Sequence, residues 1–271
     1  MPTLCWISLI YLLSCSASPP PASKGQPVSP DWRAVERVTD GDTLRVLRDG
    51  ASVKVRLKGI NAPERGECVA DTATEALRAL TKDGVRVESF GEDRYGRTLA
   101  YLWTADDTLI QETLVARGLA LFNDYGDPGS MAKRLASAQR RAEERGLGMF
   151  DRSACGSATT LDVRIAAMDP NPDGDDLAPG AGESITLRGP AGADLSGWQI
   201  KDTSASHRID LPEGTKLDRR GRLRVFTSCG DRAVGRHFAC KKGSAIWNNT
   251  GDTAFLLDPK GNIVATKRWA P

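Results

Sequence analysis

Two Asp-Gly pairs set between short alternating runs constrain the fold of this chain more than any other feature. Thr43 to Leu47 and Val53 to Leu57 alternate apolar and polar residues, with Asp49-Gly50 between them. Such a pair between alternating runs signals a hairpin, because a two-residue turn needs residues that tolerate positive φ. Asp40-Gly41 follows Val35 to Val38 in the same way, and alternation resumes at Val85 to Phe90 and Leu99 to Trp103. Helical spacing interrupts the strands. Cys68 to Leu80 carries Ala70, Ala73, Leu77 and Leu80 on one face, Leu109 to Ala116 ends at Gly118, and Met131 to Arg145 is amphipathic and stops at Gly146. Three strands, a helix, two strands and two helices predict an α+β fold built on a five-stranded barrel with packed helices.

After Cys155 the texture changes. Asp169 to Gly182 is dense in Asp, Pro and Gly and reads as loop, with no helical period beyond it. Short runs at Ser184 to Leu187, Trp198 to Lys201, Leu223 to Phe226 and Ala254 to Leu257 are separated by turn signals such as Gly189-Pro190 and Asp258-Pro259. A small all-β sandwich is the natural expectation. The 271 residues therefore divide into a first domain over 32–155, a linker and domain start over 156–182, and a second domain over 183–271. Against 37 Lys and Arg stand 35 Asp and Glu, so no global positive field draws in a polyanion, and any such partner needs a local site.

The N-terminus reads as targeting. Leu4 to Leu13 has the length of a signal-peptide apolar core and is too short to span a bilayer permanently, although no Lys or Arg precedes it. Leu12-Leu13-Ser14-Cys15 resembles a lipobox, which would make residues 1–15 a lipoprotein signal and Cys15 the lipidated start of the mature chain. The alternative is an ordinary secretory signal that removes Cys15. Residues 16–31, rich in Pro and Ser, suit a tether. The expected location is the cell envelope or the outside, the envelope form being membrane-anchored through that lipid, and a monomer is the expected state. Cys68 and Cys155 in one half, with Cys229 and Cys240 in the other, suit two disulfides in an oxidising compartment. The longer loop would stabilise by roughly 4 kcal/mol in the chain-entropy model. A zinc site from Cys229, His207, His237 and Cys240 is the alternative, but its spacing matches no compact ligand pattern.

Three clusters carry residues suited to phosphodiester chemistry. Asp40-Gly41-Asp42-Thr43 presents two carboxylates at a turn; Arg56 precedes Gly59-Ile60-Asn61-Ala62-Pro63-Glu64; and Asp93-Arg94-Tyr95-Gly96-Arg97 opens a later strand. A hard cation takes oxygen ligands such as Asp42, the Asn61 side-chain oxygen and a backbone carbonyl. Glu64 can orient or deprotonate water, and the guanidiniums of Arg56 and Arg97 match phosphoryl oxygens. Each cluster alone is an ordinary turn or surface; the ordered set carries the meaning.

That set, running from about Arg37 to Phe150 through Val-Thr-Asp-Gly-Asp-Thr-Leu, Val-Arg-Leu-Lys-Gly-Ile-Asn-Ala-Pro-Glu and Arg-Tyr-Gly-Arg-Thr-Leu-Ala-Tyr, resembles the staphylococcal nuclease family. The resemblance implies an OB-fold barrel with three helices and calcium-dependent (Ca2+) hydrolysis of DNA and RNA to 3′-phosphate ends. By position it implies Arg56, Glu64 and Arg97 as catalytic, Asp42, Asn61 and the Ala62 carbonyl as calcium ligands, and Asp40 as a neighbouring carboxylate. Arg94 and Tyr95 would hold the terminal nucleotide, and Tyr125 lies near a further nucleotide-contacting position. Asn61 departs from the family's aspartate, which leaves open a weak or inactive barrel that only binds nucleic acid or a surface partner. The second half, through Gly-Glu-Ser-Ile-Thr-Leu, Leu-Ser-Gly-Trp and Trp-Asn-Asn-Thr-Gly-Asp, resembles the lamin-tail domain. This implies an immunoglobulin-like sandwich that binds or positions, with Trp198 in its core.

Overall fold

A computed structural model describes residues 32–123, 129–151, 153–154, 159–204, 207–241, 245–249 and 251–269. Cys15, Tyr125 and Cys155, and with them the proposed signal and tether, lie outside the described residues. The first unit runs β1 (Trp32–Arg33), β2 (Val35–Val38), β3 (Thr43–Arg48), β4 (Ala51–Leu57), β5 (Ile60–Asn61), α1 (Ala70–Thr81), β6 (Val85–Glu92), β7 (Thr98–Trp103), α2 (Ile110–Ala116), β8 (Leu121–Phe122) and α3 (Ser130–Glu144). Its main sheet has the order β1-β6-β7-β4-β3-β2, and β5 pairs with β8 as a separate two-stranded ladder. The unit is an OB-type fold with three helices. The five strands expected from alternation are all present, and β1 adds a sixth by pairing with β6. Two-residue strands such as β1, β5 and β8 are too short to show a period, so alternation could not reveal them.

The two Asp-Gly pairs act differently. Asp49 (φ 51°) and Gly50 (φ 79°) both take the left-handed conformation of a two-residue hairpin turn, and Arg48 pairs with Ala51 across it. Gly41 is needed for space instead. A β-carbon there would lie 2.7 Å from the β-carbons of both Ala62 and Ala73, so only glycine lets the Asp40–Asp42 turn rest on α1 and on the segment after β5. Buried Gln111 extends β7 by donating to the Ala100 carbonyl (2.8 Å) and accepting from the Leu102 amide (3.1 Å). Buried Gln139 of α3 likewise accepts the Phe122 amide of β8 (2.7 Å). The core is formed by Leu44, Val55, Leu57, Ile60, Leu77, Leu102, Leu114 and Leu135 with their neighbours.

The second unit is β-rich: β9 (Arg164–Asp169), β10 (Ser184–Arg188), β11 (Gln199–Lys201), β12 (Arg208–Asp210), β13 (Arg222–Phe226), β14 (Arg236–Phe238), β15 (Asp252–Leu257) and β16 (Ile263–Trp269). They form two four-stranded sheets, β14-β13-β10-β9 and β12-β11-β15-β16, sharing one apolar core that includes Trp198 and Trp247. Trp198 is 3% exposed, a core residue. No strand or helix lies between Asp169 and Ser184, as the loop composition predicts. Buried Glu183 ties two of the quoted motifs together by accepting the amides of Ile246 (2.6 Å) and Trp247 (3.1 Å). Cys229 and Cys240 are joined as a disulfide, which excludes the zinc alternative, since both sulfurs are committed.

The two units are in contact. Leu121 and Met149 of the first form an apolar cluster with Phe255, Leu257 and Ile263 of the second. Arg268 of β16 donates to both oxygens of Glu143 in α3 (2.9 and 3.0 Å), Thr203 donates to Asn123 (3.1 Å), and Arg208 of β12 pairs with Glu67.

Candidate active site

The site grows from the turn before β3. Strand pairing sets Thr43 directly opposite Arg56, so the acidic turn and the buried arginine belong to one end of the β3–β4 hairpin. Asp40 Oδ1 accepts the Asp42 amide (3.1 Å) and closes the turn. The Asp42 carboxylate then points inward: Oδ1 accepts Thr43 Oγ1 (3.0 Å), and Oδ2 accepts the Ala62 amide (2.8 Å) and Arg56 Nη2 (2.9 Å). Arg56 is held along its whole head. Nη1 donates to the carbonyls of Leu57 (2.8 Å) and Ile60 (2.9 Å), while Nη2 also donates to Asn61 Oδ1 (2.9 Å). The chain between Leu57 and Ile60 wraps around the guanidinium because Gly59 adopts φ 79°.

This cluster is nearly dry: Asp42, Arg56 and Asn61 are 7%, 7% and 5% exposed. Burial pushes the Asp42 carboxyl up to about 6; Arg56 and the bonds from Ala62 and Thr43 oppose that, while Asp40 adds to it. A single guanidinium therefore does not fully compensate the buried charge. The structure joins Asp40, Asp42, Arg56, Asn61 and Ala62 in one bonded group, Ala62 through its amide rather than its carbonyl. Thr43, which fixes the Asp42 carboxylate, was not anticipated, although its place beside Asp42 in the turn makes it a natural partner.

The third cluster forms the turn between β6 and β7. Asp93 accepts the amides of Tyr95 (2.9 Å) and Arg97 (3.0 Å) and the Arg97 Nε (2.7 Å). Desolvation opposes ionisation of Asp93, but the bonds from Arg97 and Tyr95 outweigh it and hold the carboxyl below its usual range. Arg94 and Arg97 lie over the Tyr95 ring at 4.8 and 5.4 Å, and Tyr95 is 67% exposed. Leu99 of β7 pairs with Arg56 of β4, and Arg97 closes the turn that leads into β7. Asp93, which orients Arg97, was not foreseen as a partner.

Glu64 stands apart. It is exposed on the loop after Pro63, and its amide donates to Glu67 Oε2 (2.9 Å). Glu67 itself went unnoticed in the sequence, where only its place three residues after Glu64 hints at a turn. Cys68, at the end of this loop, is disulfide-bonded.

No three His, Cys, Asp or Glu side chains gather within metal-binding range among the described residues. A cation here would rely on Asp40, Asp42, the Asn61 side-chain oxygen and the Ala62 carbonyl. This all-oxygen set around an undercompensated carboxylate fits a hard divalent ion and excludes a soft one. Elsewhere, a cavity of about 690 Å³ in the second unit is lined in part by Lys216, Arg219, Arg232 and Arg236. None of the residues of the Asp42–Arg56 cluster lines it.

The family model for the staphylococcal nuclease homologue matches residues 54–152, and that for the Lamin Tail Domain matches 156–270. A thermonuclease of Staphylococcus intermedius is 33% identical over 127 residues, covering 44% of this chain and 75% of the relative. One from Staphylococcus hyicus is 36% identical over 119 residues, covering 41% and 70%. A micrococcal nuclease of Shigella flexneri is 32% identical over 135 residues, covering 46% and 76%.

Proposed function

The chain belongs to the staphylococcal nuclease homologue family, with a lamin-tail domain behind the nuclease domain, and from that premise we propose that it is an exported, calcium-dependent nuclease acting on DNA, RNA or both. The observation that carries the proposal is Arg56, buried and bonded at once to Asp42 and Asn61, with Arg97 held by Asp93 in the turn that leads into the neighbouring strand. In this reading Arg97 meets the phosphoryl oxygens and Arg56 exchanges its Nη2 bonds to Asp42 and Asn61 for them, so that both stabilise the charge that grows during attack. The main-chain bonds of Arg56 Nη1 keep that guanidinium in place, and Asp93 does the same for Arg97. Glu64, exposed on the loop that leaves the cluster after Ala62, orients or deprotonates the attacking water. Arg94 and Tyr95 receive the terminal nucleotide, the ring by stacking and the guanidinium by charge. Asp40, Asp42, Asn61 and the Ala62 carbonyl would hold calcium, which when bound polarises the phosphoryl group.

Disulfide-bonded Cys229, Cys240 and Cys68 support an oxidising compartment, reached through a signal ending at Cys15 that either anchors the chain by a lipid or is removed. Two four-stranded sheets around one core support an immunoglobulin-like sandwich over 183–271 that starts within 156–182, at β9, and follows a nuclease domain over 32–155. A second reading, a barrel that binds nucleic acid without cutting it, is favoured by the missing charge at Asn61. One experiment separates the two. Residues 27–271 with disulfides formed are incubated with single-stranded DNA and RNA, in calcium or chelator, beside Glu64→Gln. Calcium-dependent cleavage that falls roughly 10²–10⁴-fold in the variant supports the enzyme. Binding without cleavage, in folded protein at several-fold the roughly millimolar calcium of extracellular sites, supports the binding module.

A further inference from the structure

The Glu64 loop touches the second unit. Lys201 of β11 sits directly opposite Arg208 of β12. Two like charges facing each other across a strand pair are destabilising, and here Lys201 is buried at 6% exposure. Asp202 relieves the pair only in part: its carboxylate is engaged by His207 Nδ1 at 2.7 Å, and its field acts on Lys201 less than that of Glu67. The larger relief comes from the first unit: Arg208 donates to Glu67 Oε1, and the field of Lys201 acts on the same carboxylate. The other oxygen of Glu67, Oε2, accepts the Glu64 amide. One carboxylate thus joins a charge conflict in the second unit to the backbone of the proposed water-orienting residue.

The surroundings enforce this contact. Asn61 pairs with Leu121, which belongs to the apolar cluster between the units, so the segment leaves the Asp42–Arg56 cluster along the interface. A pocket of about 30 Å³, room for about one water, separates Asn61, Ala62, Pro63 and Glu67 from Lys201 and Phe255. Val69, where the loop enters α1, has φ 56°, a conformation that a β-branched residue holds only when its surroundings impose it. Arg56 and Asp42 fix the loop at Asn61 and Ala62, and the second unit fixes it at Glu67.

We propose that Arg208 and Lys201 are positioning residues for the nuclease reaction: the second unit sets the placement of Glu64 by holding Glu67. The proposal rests on the nuclease reading above. An error of about 1 Å in a reacting group's placement lowers rates by as much as 10²-fold, so this contact is a means by which the second unit controls turnover without touching substrate.

The test uses the full chain. Arg208→Met, Lys201→Met and Arg208→Lys are compared with wild type and with Arg268→Met, which breaks the ion pair between β16 and α3 that does not involve the loop. Turnover and amide hydrogen exchange over residues 62–68 are both measured. Arg208→Met and Lys201→Met should each lower kcat about tenfold or more with KM within about twofold. Exchange in the loop should rise, Arg208→Lys should recover part of kcat, and Arg268→Met should match wild type. If Arg208→Met does not fold, Glu67→Gln takes its place with the same expectations. Equal losses in Arg208→Met and Arg268→Met overturn the proposal in favour of a general loosening of the interface. Unchanged kcat and exchange in Arg208→Met overturn it outright. A wild type that cuts nothing refutes the nuclease reading instead, and loop exchange then decides the positioning claim by itself.

Discussion

Replacing Arg56 by methionine tests the site where its physics is sharpest. The substitution removes the bonds to Leu57 O, Ile60 O, Asn61 Oδ1 and Asp42 Oδ2. It leaves Asp42 buried with only Thr43 and Ala62 donating to it. Breaking a buried ion pair from one side destabilises by about 3–5 kcal/mol; the two surviving donors place the loss near the lower end, about 3 kcal/mol at pH 8. The loss should shrink at pH 5. The native Asp42 carboxyl already titrates at about 6 rather than 3.8. As pH rises through that window the native state keeps a proton that the unfolded chain releases, so the stability this group provides falls with rising pH. At pH 5 the carboxyl is mostly neutral, and what remains is the loss of bonds to neutral acceptors, about 1–2 kcal/mol. Urea unfolding in chelator at both pH values measures this, with Asp42→Asn and the double variant completing a cycle. The double variant should recover part of the loss at pH 8, because no orphaned charge is left. A loss under about 1 kcal/mol at pH 8, or strict additivity in the cycle, refutes the reasoning that Arg56 compensates Asp42.

Asn61→Asp adds a carboxylate to a group in which Asp40 and Asp42 face a single Arg56. Two-unit attraction near 4 Å in water is about 1 kcal/mol per charge product, so calcium should bind roughly 30-fold more tightly, about 2 kcal/mol. Calorimetry at pH 8 checks this, and unchanged affinity would show that residue 61 is not a ligand. In the second unit, burial, aided by Arg232, holds His237 down at about 4 instead of 6.5. The unfolded chain gains a proton that the native state refuses, so this contribution is complete above pH 6.5 and declines by about 3 kcal/mol as pH falls toward 4. Asp252, pushed up to about 7 mainly by burial, works in the opposite direction over much of the same range. The difference between wild type and His237→Gln in urea unfolding isolates the histidine, and parallel pH profiles would defeat the assignment.

What the sequence makes legible is whatever lies within one hairpin, one helix face or one motif. Alternation locates β2, β3, β4, β6 and β7, helical spacing locates α1, α2 and α3, and the ordered motifs place Asp42, Arg56, Asn61 and Ala62 together. The strands β9, β12, β14 and β16 escape. Three-residue β12 and β14 are too short for a period, and β9 and β16 each mix apolar pairs with charge, so their faces are set by neighbouring strands. Gly41 looks like a turn residue but is selected by contact with Ala62 and Ala73, which no local pattern records.

The partners of the site divide along the same line. Asp93 and Thr43 are local, and Asx-type bonding makes them recoverable from the turn itself. Arg208 and Lys201 are not recoverable, since Arg208 lies 141 residues from Glu67 and reads in sequence as one more charge on a strand. Within the second unit their pairing violates a local rule, and the stronger compensating anion belongs to the other unit. Where local consistency fails in a folded protein, function or assembly is the expected reason. The opposed cations therefore argue that the second unit is built to meet the first, with the Glu64 loop as one of the points of contact. Had the second unit served only to tether the first, the apolar cluster and the Arg268–Glu143 pair would suffice, and Lys201 and Arg208 would each be more stable as neutral strand residues.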